Sequence, residues 1–381
     1  MRPLGLYIHW PFCAKICPYC DFAVAKAREV DPELWLKTFR ADLDLLAPLV
    51  EKRPLVSIYL GGGTPSLIPM SVARGILSYA DDLFGIQPGA EITFEANPTD
   101  AARFTEFASA GFNRLSLGVQ SFHDDELQFL GRNHDSGLAR TAVEQAARTF
   151  DRVSLDFIYA LPDQSLTRWR DTLNAAFSTG AGHLSLYQLT IEPDTAFGKR
   201  AARGVLKPMH DDRCADFYDA TQEWTANRGF PAYEVSNHAA PGQEAVHNAL
   251  YWADADWLAI GPGAHGRLGP PSNRLATEGS RRVTGYPQLD GDQRLAVSKL
   301  SLLEHRLEVL GSGLRPTAGL DLARLGDDLE RVVAAAAPFI EQGLVEVDDR
   351  KLVVRPKGRL LIDYLAAELS CALDGTDVRG A

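Results

Sequence analysis

The sequence predicts an α/β fold, a parallel sheet or barrel of βα units followed by a small helical module. Two observations carry this prediction. Short β-rich runs alternate with longer helical patterns along the first half of the chain, and repeated βα units of that length pair their strands in parallel with the helices outside. Runs such as SIYL at 57–60 and DFIYAL at 156–161 are nearly continuous in apolar residues, as suits strands buried on both faces.

Six strands are expected, over 6–9, 56–60, 91–95, 114–118, 152–159 and 183–189. Between them, 3.6-residue periodicity marks helices over 32–49, 72–83, 137–149 and 167–178. These units and their loops make up a first domain, 1–240. Residues 241–290 read as a loop-rich connection carrying GPGAHG, LGPPSN and TGYP. From 291 to 381 the pattern turns helical again, with segments near 296–310, 320–325 and 329–342. The short runs LVEVD and KLVVR, joined across Asp349 and Arg350, then form a hairpin before a closing helix over 358–369. Helices with a terminal hairpin resemble a winged-helix module, read here as a lid or docking domain. The last ten residues are expected to fray.

Composition narrows the function. The 381 residues are 45% hydrophobic and 23% charged, ordinary values for a globular protein. The formal charge of −11 argues against a broad nucleic-acid-binding face. No apolar run reaches the ~20 residues of a membrane span, and the start MRPLGLYIHWPFC lacks the features of a secretory signal. A cytoplasmic protein is expected.

Cys13, Cys17 and Cys20 fall within eight residues as CAKICPYC, whereas Cys214 and Cys371 stand alone and are expected to pack or face solvent. An odd count without a signal peptide argues against a disulfide framework. Three thiolates on one loop suit a single metal centre. A structural zinc site or an electron-transfer cluster normally fills every ligand position, so three ligands imply a cluster with one iron open to an exogenous group. The alternatives are a zinc site completed by His9 or Asp21, or an incidental group of thiols.

In parallel βα barrels, chemistry collects at the C-terminal strand ends, and the unusual residues follow that rule. The cysteine loop follows the first strand. The second runs into Gly61-Gly62-Gly63-Thr64-Pro65, where glycines let the backbone approach a ligand and aim N–H groups at an anion. Neither a Walker loop nor a GxGxxG fingerprint is present. Glu95 ends the third strand in TFEANP, Gln120 follows the fourth in LGVQSF, and Arg132 lies beyond it in LGRN. Asp156 interrupts the fifth strand, and a carboxylate there is costly unless it is paired.

YIHWPFCAKICPYC, GGGTP, EANP, GVQSF and DFIYALPDQS together resemble the radical SAM superfamily, in the branch holding the oxygen-independent coproporphyrinogen III dehydrogenase and the HemW-type haem chaperones. The resemblance runs from about Leu6 through the C-terminal module. It implies a partial parallel (β/α)6 radical SAM barrel. It also implies a [4Fe–4S] cluster on Cys13, Cys17 and Cys20, with S-adenosylmethionine chelating the open iron. Tyr7 would flank the cluster, and Gly62, Gly63 and Thr64 would meet the methionine end. Glu95 would accept from its ammonium, while Gln120, Arg132 and Asp156 would line the same cavity. In such enzymes the reduced cluster passes an electron to the sulfonium and releases a 5′-deoxyadenosyl radical. The protein binds, orients and shields.

Two functions compete on this scaffold, haem delivery to apoproteins such as respiratory enzymes and oxidative decarboxylation of coproporphyrinogen. The dehydrogenase pattern carries a further cysteine two residues after the third ligand, where this chain has Phe22. Its first cysteine at residue 13 also leaves little room for the dehydrogenase's N-terminal segment. CDF resembles the chaperone branch. His247-Asn248-Ala249-Leu250-Tyr251-Trp252 matches an HNxxYW motif associated there with haem, which makes His247 the expected axial ligand, imidazole being a common one. His238 and His265 are weaker candidates. The partners so implied are haem as cargo, haem-accepting apoproteins and an electron donor such as a flavodoxin or ferredoxin. Nucleic acid is not expected; peripheral membrane contact is allowed, without a span.

Overall fold

A computed structural model describes residues 2–27 and 29–374. Six parallel strands form its centre: β1 (Leu4–Trp10), β2 (Leu55–Gly62), β3 (Ile86–Ala96), β4 (Arg114–Gln120), β5 (Arg152–Tyr159) and β6 (His183–Gln188). After them come β7 (Asn237–Ala239), β8 (Asp256–Ile260), β9 (His265–Leu268), β10 (Leu275–Gly279) and β11 (Leu295–Lys299). All eleven join one sheet, in the order β11-β10-β9-β8-β1-β2-β3-β4-β5-β6-β7.

Each connecting helix follows from local sequence. Helix Pro32–Leu46 begins where Asp31 accepts from the amides of Glu33 and Leu34, at 3.0 and 3.2 Å, a cap worth ~1 kcal/mol. Trp35, Phe39, Leu43 and Leu46 recur on one face and are buried. They meet Trp10 of β1 edge-on, with Trp10 and Trp35 centroids 5.5 Å apart. Helices Met70–Phe84, Ser136–Thr149 and Leu166–Phe177 repeat the scheme after β2, β4 and β5, the last two capped by Asp135 and Ser165.

The strands alternate more sharply than their sequences imply. Leu4, Leu6, Ile8 and Trp10 face the helices in the main core, as do Ile58, Leu60, Phe94, Leu115, Leu117, Leu155 and Phe157. The intervening positions point to the other face of the pleat and are largely polar: Tyr7, Ser57, Tyr59, Thr93, Glu95, Ser116, Ser154, Asp156, His183 and Ser185. SIYL and DFIYAL are buried on both sides, but only one side is apolar.

Two elements differ from the sequence reading. Asp256–Ile260 lies inside the stretch read as loop, yet it pairs in parallel with β1, Leu6 opposite Leu258. Residues 295–299, expected to open a helix, instead form edge strand β11 against β10. The helix starts at Leu302, where Ser301 and Glu304 exchange side-chain and backbone hydrogen bonds in a capping box.

Beyond the sheet, helices Leu302–Gly313, Leu329–Glu341 and Ile362–Asp374 surround a small antiparallel sheet. Its strands are β12 (Leu320–Asp321), β13 (Val345–Asp348) and β14 (Lys351–Val354), with β14 central. They share a separate core that includes Leu310, Leu325, Val332, Leu352 and Leu369. Among the described residues no helix is long and apolar enough to cross a membrane. Cys214 sits on helix Asp211–Asn227 and Cys371 on the final helix; both are half-buried.

Candidate cluster and cofactor site

The C-terminal ends of β1 to β6 open into a cavity of about 410 Å³. Cys13, Cys17, Cys20, Gly62, Gly63, Thr64, Glu95, Gln120, Arg132 and Asp156 all line it, gathered from five of the strand ends.

The cysteine loop is pinned at its base. Ala25 and Ala27 amides donate to the Pro11 and Cys13 carbonyls at 2.8 and 2.7 Å, and the Cys20 amide turns back to Cys17. The glycine segment lies alongside, with Gly63 and Thr64 amides donating to Trp10 and Phe12 carbonyls at 2.8 and 2.9 Å. A Cβ on Gly63 would sit 2.9 Å from the Cys13 sulfur and 2.9 Å from the Phe12 carbonyl oxygen. Gly62 has φ +113, and a Cβ there would strike the His9 ring at 2.8 Å. Glycine is required at both positions by close approach, at Gly62 also by backbone conformation.

Glu95 sits at the cavity wall. It accepts from the Tyr59 hydroxyl at 2.8 Å and the Gly62 amide at 3.1 Å. Burial, opposed by those hydrogen bonds and reinforced by nearby Asp156, pushes its carboxyl up to about 7. Among the described residues no cation pairs with it. Asp156 is held by the hydroxyls of Ser116 (2.9 Å) and Ser154 (3.1 Å) and is likewise raised by burial. Gly118 is its neighbour across β4 and β5, and a Cβ there would press on Gln120 Nε2 at 3.0 Å.

Gln120 has φ 67, and its buried side-chain oxygen Oε1 has no hydrogen-bond partner among the described residues. Arg132 donates to the Gly118 carbonyl at 3.0 Å, to Asn97 Oδ1 and to the Cys17 sulfur at 3.3 Å, while its Nε has no partner. Unmatched buried donors and acceptors beside a cavity are costly unless a ligand or water completes them.

Three thiols on one loop are a donor set that suits an iron–sulfur cluster. Among the described residues no three His, Cys, Asp or Glu side chains lie close enough to share one metal ion. A four-iron cluster draws each thiolate to a different iron, so its ligands stand wider apart. His9, a candidate fourth zinc ligand, has both ring nitrogens engaged, by the Tyr7 hydroxyl at 3.1 Å and the Ala23 carbonyl at 3.1 Å. Burial raises the Cys13 thiol to about 11 and lifts Cys20 as well; a metal, which deprotonates a coordinating thiol outright, would reverse that.

Two expected residues lie outside the cavity. Tyr7 is one layer beneath it, stacked on Tyr59 at 6.2 Å and holding His9. His247 is farther still, at the opposite ends of the strands and only 1% exposed. Its helix, Val246–Trp252, closes the floor of the barrel: Glu91 of β3 accepts from the Val246 and His247 amides at 3.0 Å. The imidazole meets Ser57 Oγ through Nδ1 and the Tyr251 hydroxyl through Nε2, both at 2.8 Å. Both ring nitrogens are thus occupied by protein hydroxyls, and the imidazole is buried. His238 is buried too, against Gln222; His265 is half-exposed near Glu278.

Sequence reasoning passed over Tyr59, Asn97 and Tyr187. Asn97, two residues past Glu95 in EANP, donates to Thr64 Oγ1 at 3.3 Å and accepts from Arg132, tying the glycine segment to the far wall. Tyr59 is visible by strand alternation, since it shares a face with Gly61 on the run into the glycines.

A three-cysteine loop after β1, a cavity at the strand ends and parallel βα connectivity are the features on which comparison with known proteins bears. The sequence pattern of the radical SAM superfamily matches residues 7–176, and that of the HemN C-terminal domain matches 300–361. The solved coproporphyrinogen III oxidase (HemN) from Escherichia coli superposes over 97% of this chain and 90% of its own, with a TM-score of 0.79 at 22% identity. The heme chaperone HemW of Mycobacterium tuberculosis is 36% identical over 97% of this chain and 95% of its own length. The Escherichia coli heme chaperone HemW is 39% identical over 76% of each. The chain belongs to the HemW family of the radical SAM superfamily.

Proposed function

We propose that this protein is a haem chaperone that holds a [4Fe–4S] cluster on Cys13, Cys17 and Cys20 and S-adenosylmethionine in the adjoining cavity. It would pass haem to apoproteins such as respiratory enzymes. The observation that carries the reading is near full-length similarity to relatives named heme chaperone, together with a cavity where all three cysteines meet Glu95 and the glycine segment.

The chain's own residues divide the work. Glu95 holds the ligand's ammonium, and its pKa falls as that cation arrives. The Gly62–Thr64 backbone and Arg132 receive the carboxylate end, and Gln120 and Asp156 meet the nucleoside. Tyr7 and His9 support the loop from below. When bound, the cluster supplies one-electron chemistry at an open iron. Haem needs an axial ligand other than His247 in the conformation described, or release of the floor helix.

Haem and coproporphyrinogen III, offered side by side to reconstituted protein with S-adenosylmethionine and reductant, test the reading. Stoichiometric haem binding and transfer to an apoprotein, without protoporphyrinogen, are expected. Catalytic formation of protoporphyrinogen overturns it in favour of the dehydrogenase.

A further inference from the structure

The floor and rim of the cavity account for most unusual residues, but one charged segment is used by neither. Between 196 and 210 the chain reads AFGKRAARGVLKPMH, with Lys199, Arg200, Arg203 and Lys207 and no carboxylate, in a chain of net charge −11. All four cations are exposed, as is Lys15 on the cysteine loop. Among the described residues no carboxylate forms an ion pair with any of the five. Asp194 and Asp211 flank the segment and mark its limits.

This segment abuts the cysteine loop. The Phe197 amide donates to the Pro18 carbonyl at 2.8 Å, between Cys17 and Cys20. The Phe197 ring packs against Tyr19, centroids 6.3 Å apart, and Arg200 lies over its outer face at 5.7 Å. Helix Ala196–Ala202 is thus one hydrogen bond from the thiol-bearing backbone. Apolar side chains stand exposed among the cations, Val205 at 67% and Ile16 at 45%. Exposed apolar side chains interspersed with like charges are the composition of a transient docking face. It lies on a helix and its following turn, which fits a protein surface better than a flat tetrapyrrole.

We propose that Lys15, Lys199, Arg200, Arg203 and Lys207 form the docking face for a small acidic one-electron carrier protein. Charge complementarity selects an acidic partner, because the rest of this chain is strongly negative and would repel one elsewhere. Position selects an electron carrier, because the face rests on the cysteine loop. One electron leaves the carrier's reduced flavin or iron–sulfur centre, which is oxidised by one electron, and enters this protein's cluster; no bond forms or breaks. The inference rests on the cluster reading above.

Reconstituted protein is titrated with purified flavodoxin across a salt series, alongside K199E/R200E/R203E/K207E and the milder R203E/K207E. Iron, sulfide, circular dichroism and S-adenosylmethionine affinity are measured on each. Wild type should bind flavodoxin, more weakly as salt rises through the range where the Debye length falls below ~10 Å. The fourfold variant should lose about tenfold or more in affinity and the double variant an intermediate amount, as steering charges do, with cofactor content unchanged. Salt-independent binding, equal binding by the variants, or no binding by fully loaded protein overturns the docking face while leaving the cluster in place. So does charge-dependent capture by phosphatidylglycerol vesicles in place of flavodoxin, which assigns the patch to a membrane surface. Absence of iron and sulfide fails the cluster reading instead.

Discussion

The Tyr59 hydroxyl donates to Glu95 at 2.8 Å, one step below the glycines that border the cysteine loop. That hydrogen bond favours the carboxylate, yet burial outweighs it and leaves Glu95 half-protonated near neutral pH, at about 7. A folded-state pKa above the unfolded value of 4.5 has a definite sign. The protonated group's stability contribution is complete below pH 4.5 and is lost as pH rises through 7.

Glu95→Gln should therefore be more stable than wild type at pH 8, by about 1–3 kcal/mol, and equal to it at pH 4. Denaturant melts at the two pH values check this. The same variant should bind S-adenosylmethionine more weakly at pH 8, and wild-type affinity should fall as pH drops below 7 and the carboxylate is neutralised.

Arg132 spans Cys17, Asn97 and Gly118 and keeps an unmatched Nε. Arg132→Met removes a charged donor from a dry site, where such a hydrogen bond contributes roughly 1.5–3 kcal/mol. Calorimetric titration with S-adenosylmethionine should show at least about a tenfold loss in affinity, with iron content retained.

Cys13→Ala, Cys17→Ala and Cys20→Ala should each abolish anaerobic reconstitution, read as iron and sulfide per chain, whereas Cys214→Ala should not. Stoichiometric zinc in place of iron would contradict the four-iron assignment.

Gly63→Ala tests the fit without touching a ligand. Its Cβ meets the Cys13 sulfur and the Phe12 carbonyl at 2.9 Å, and backbone cannot yield cheaply. Iron loading should drop severalfold, whereas Gly89→Ala, open on all sides although at positive φ, should load normally.

His247→Ala should lower stability by about 2 kcal/mol or more, because the Ser57 and Tyr251 hydroxyls lose their buried partner. Its Soret spectrum with haem should match wild type. A lost Soret band in a variant that melts like wild type would restore His247 as ligand.

Much of this architecture was legible in the chain. Strand ends carrying Cys13, Gly62, Glu95 and Asp156 announced the cavity, because barrels place chemistry there. The inward polarity of the strands was not, since SIYL and DFIYAL look uniformly apolar until the pleat assigns Tyr59 and Asp156 to the lumen. Strand Asp256–Ile260 escaped notice because its partner, β1, lies some 250 residues earlier and only the folded register reveals it. The burial of His247 stayed hidden for a related reason: a loop-like stretch gives no sign that it folds back beneath Ser57.

The floor helix joins two halves that the sequence presents as separate. His247 and Tyr251 face into the barrel, while Trp252 turns outward, its ring 5.2 Å from the Arg315 guanidinium and its carbonyl accepting from Arg324 at 3.1 Å. One seven-residue bolt is thus seated in both the strand lumen and the C-terminal module. A disturbance of either part loads the same fastener, so damage at Trp252 should be felt at Tyr59, whose ring stacks on His247 at 5.3 Å.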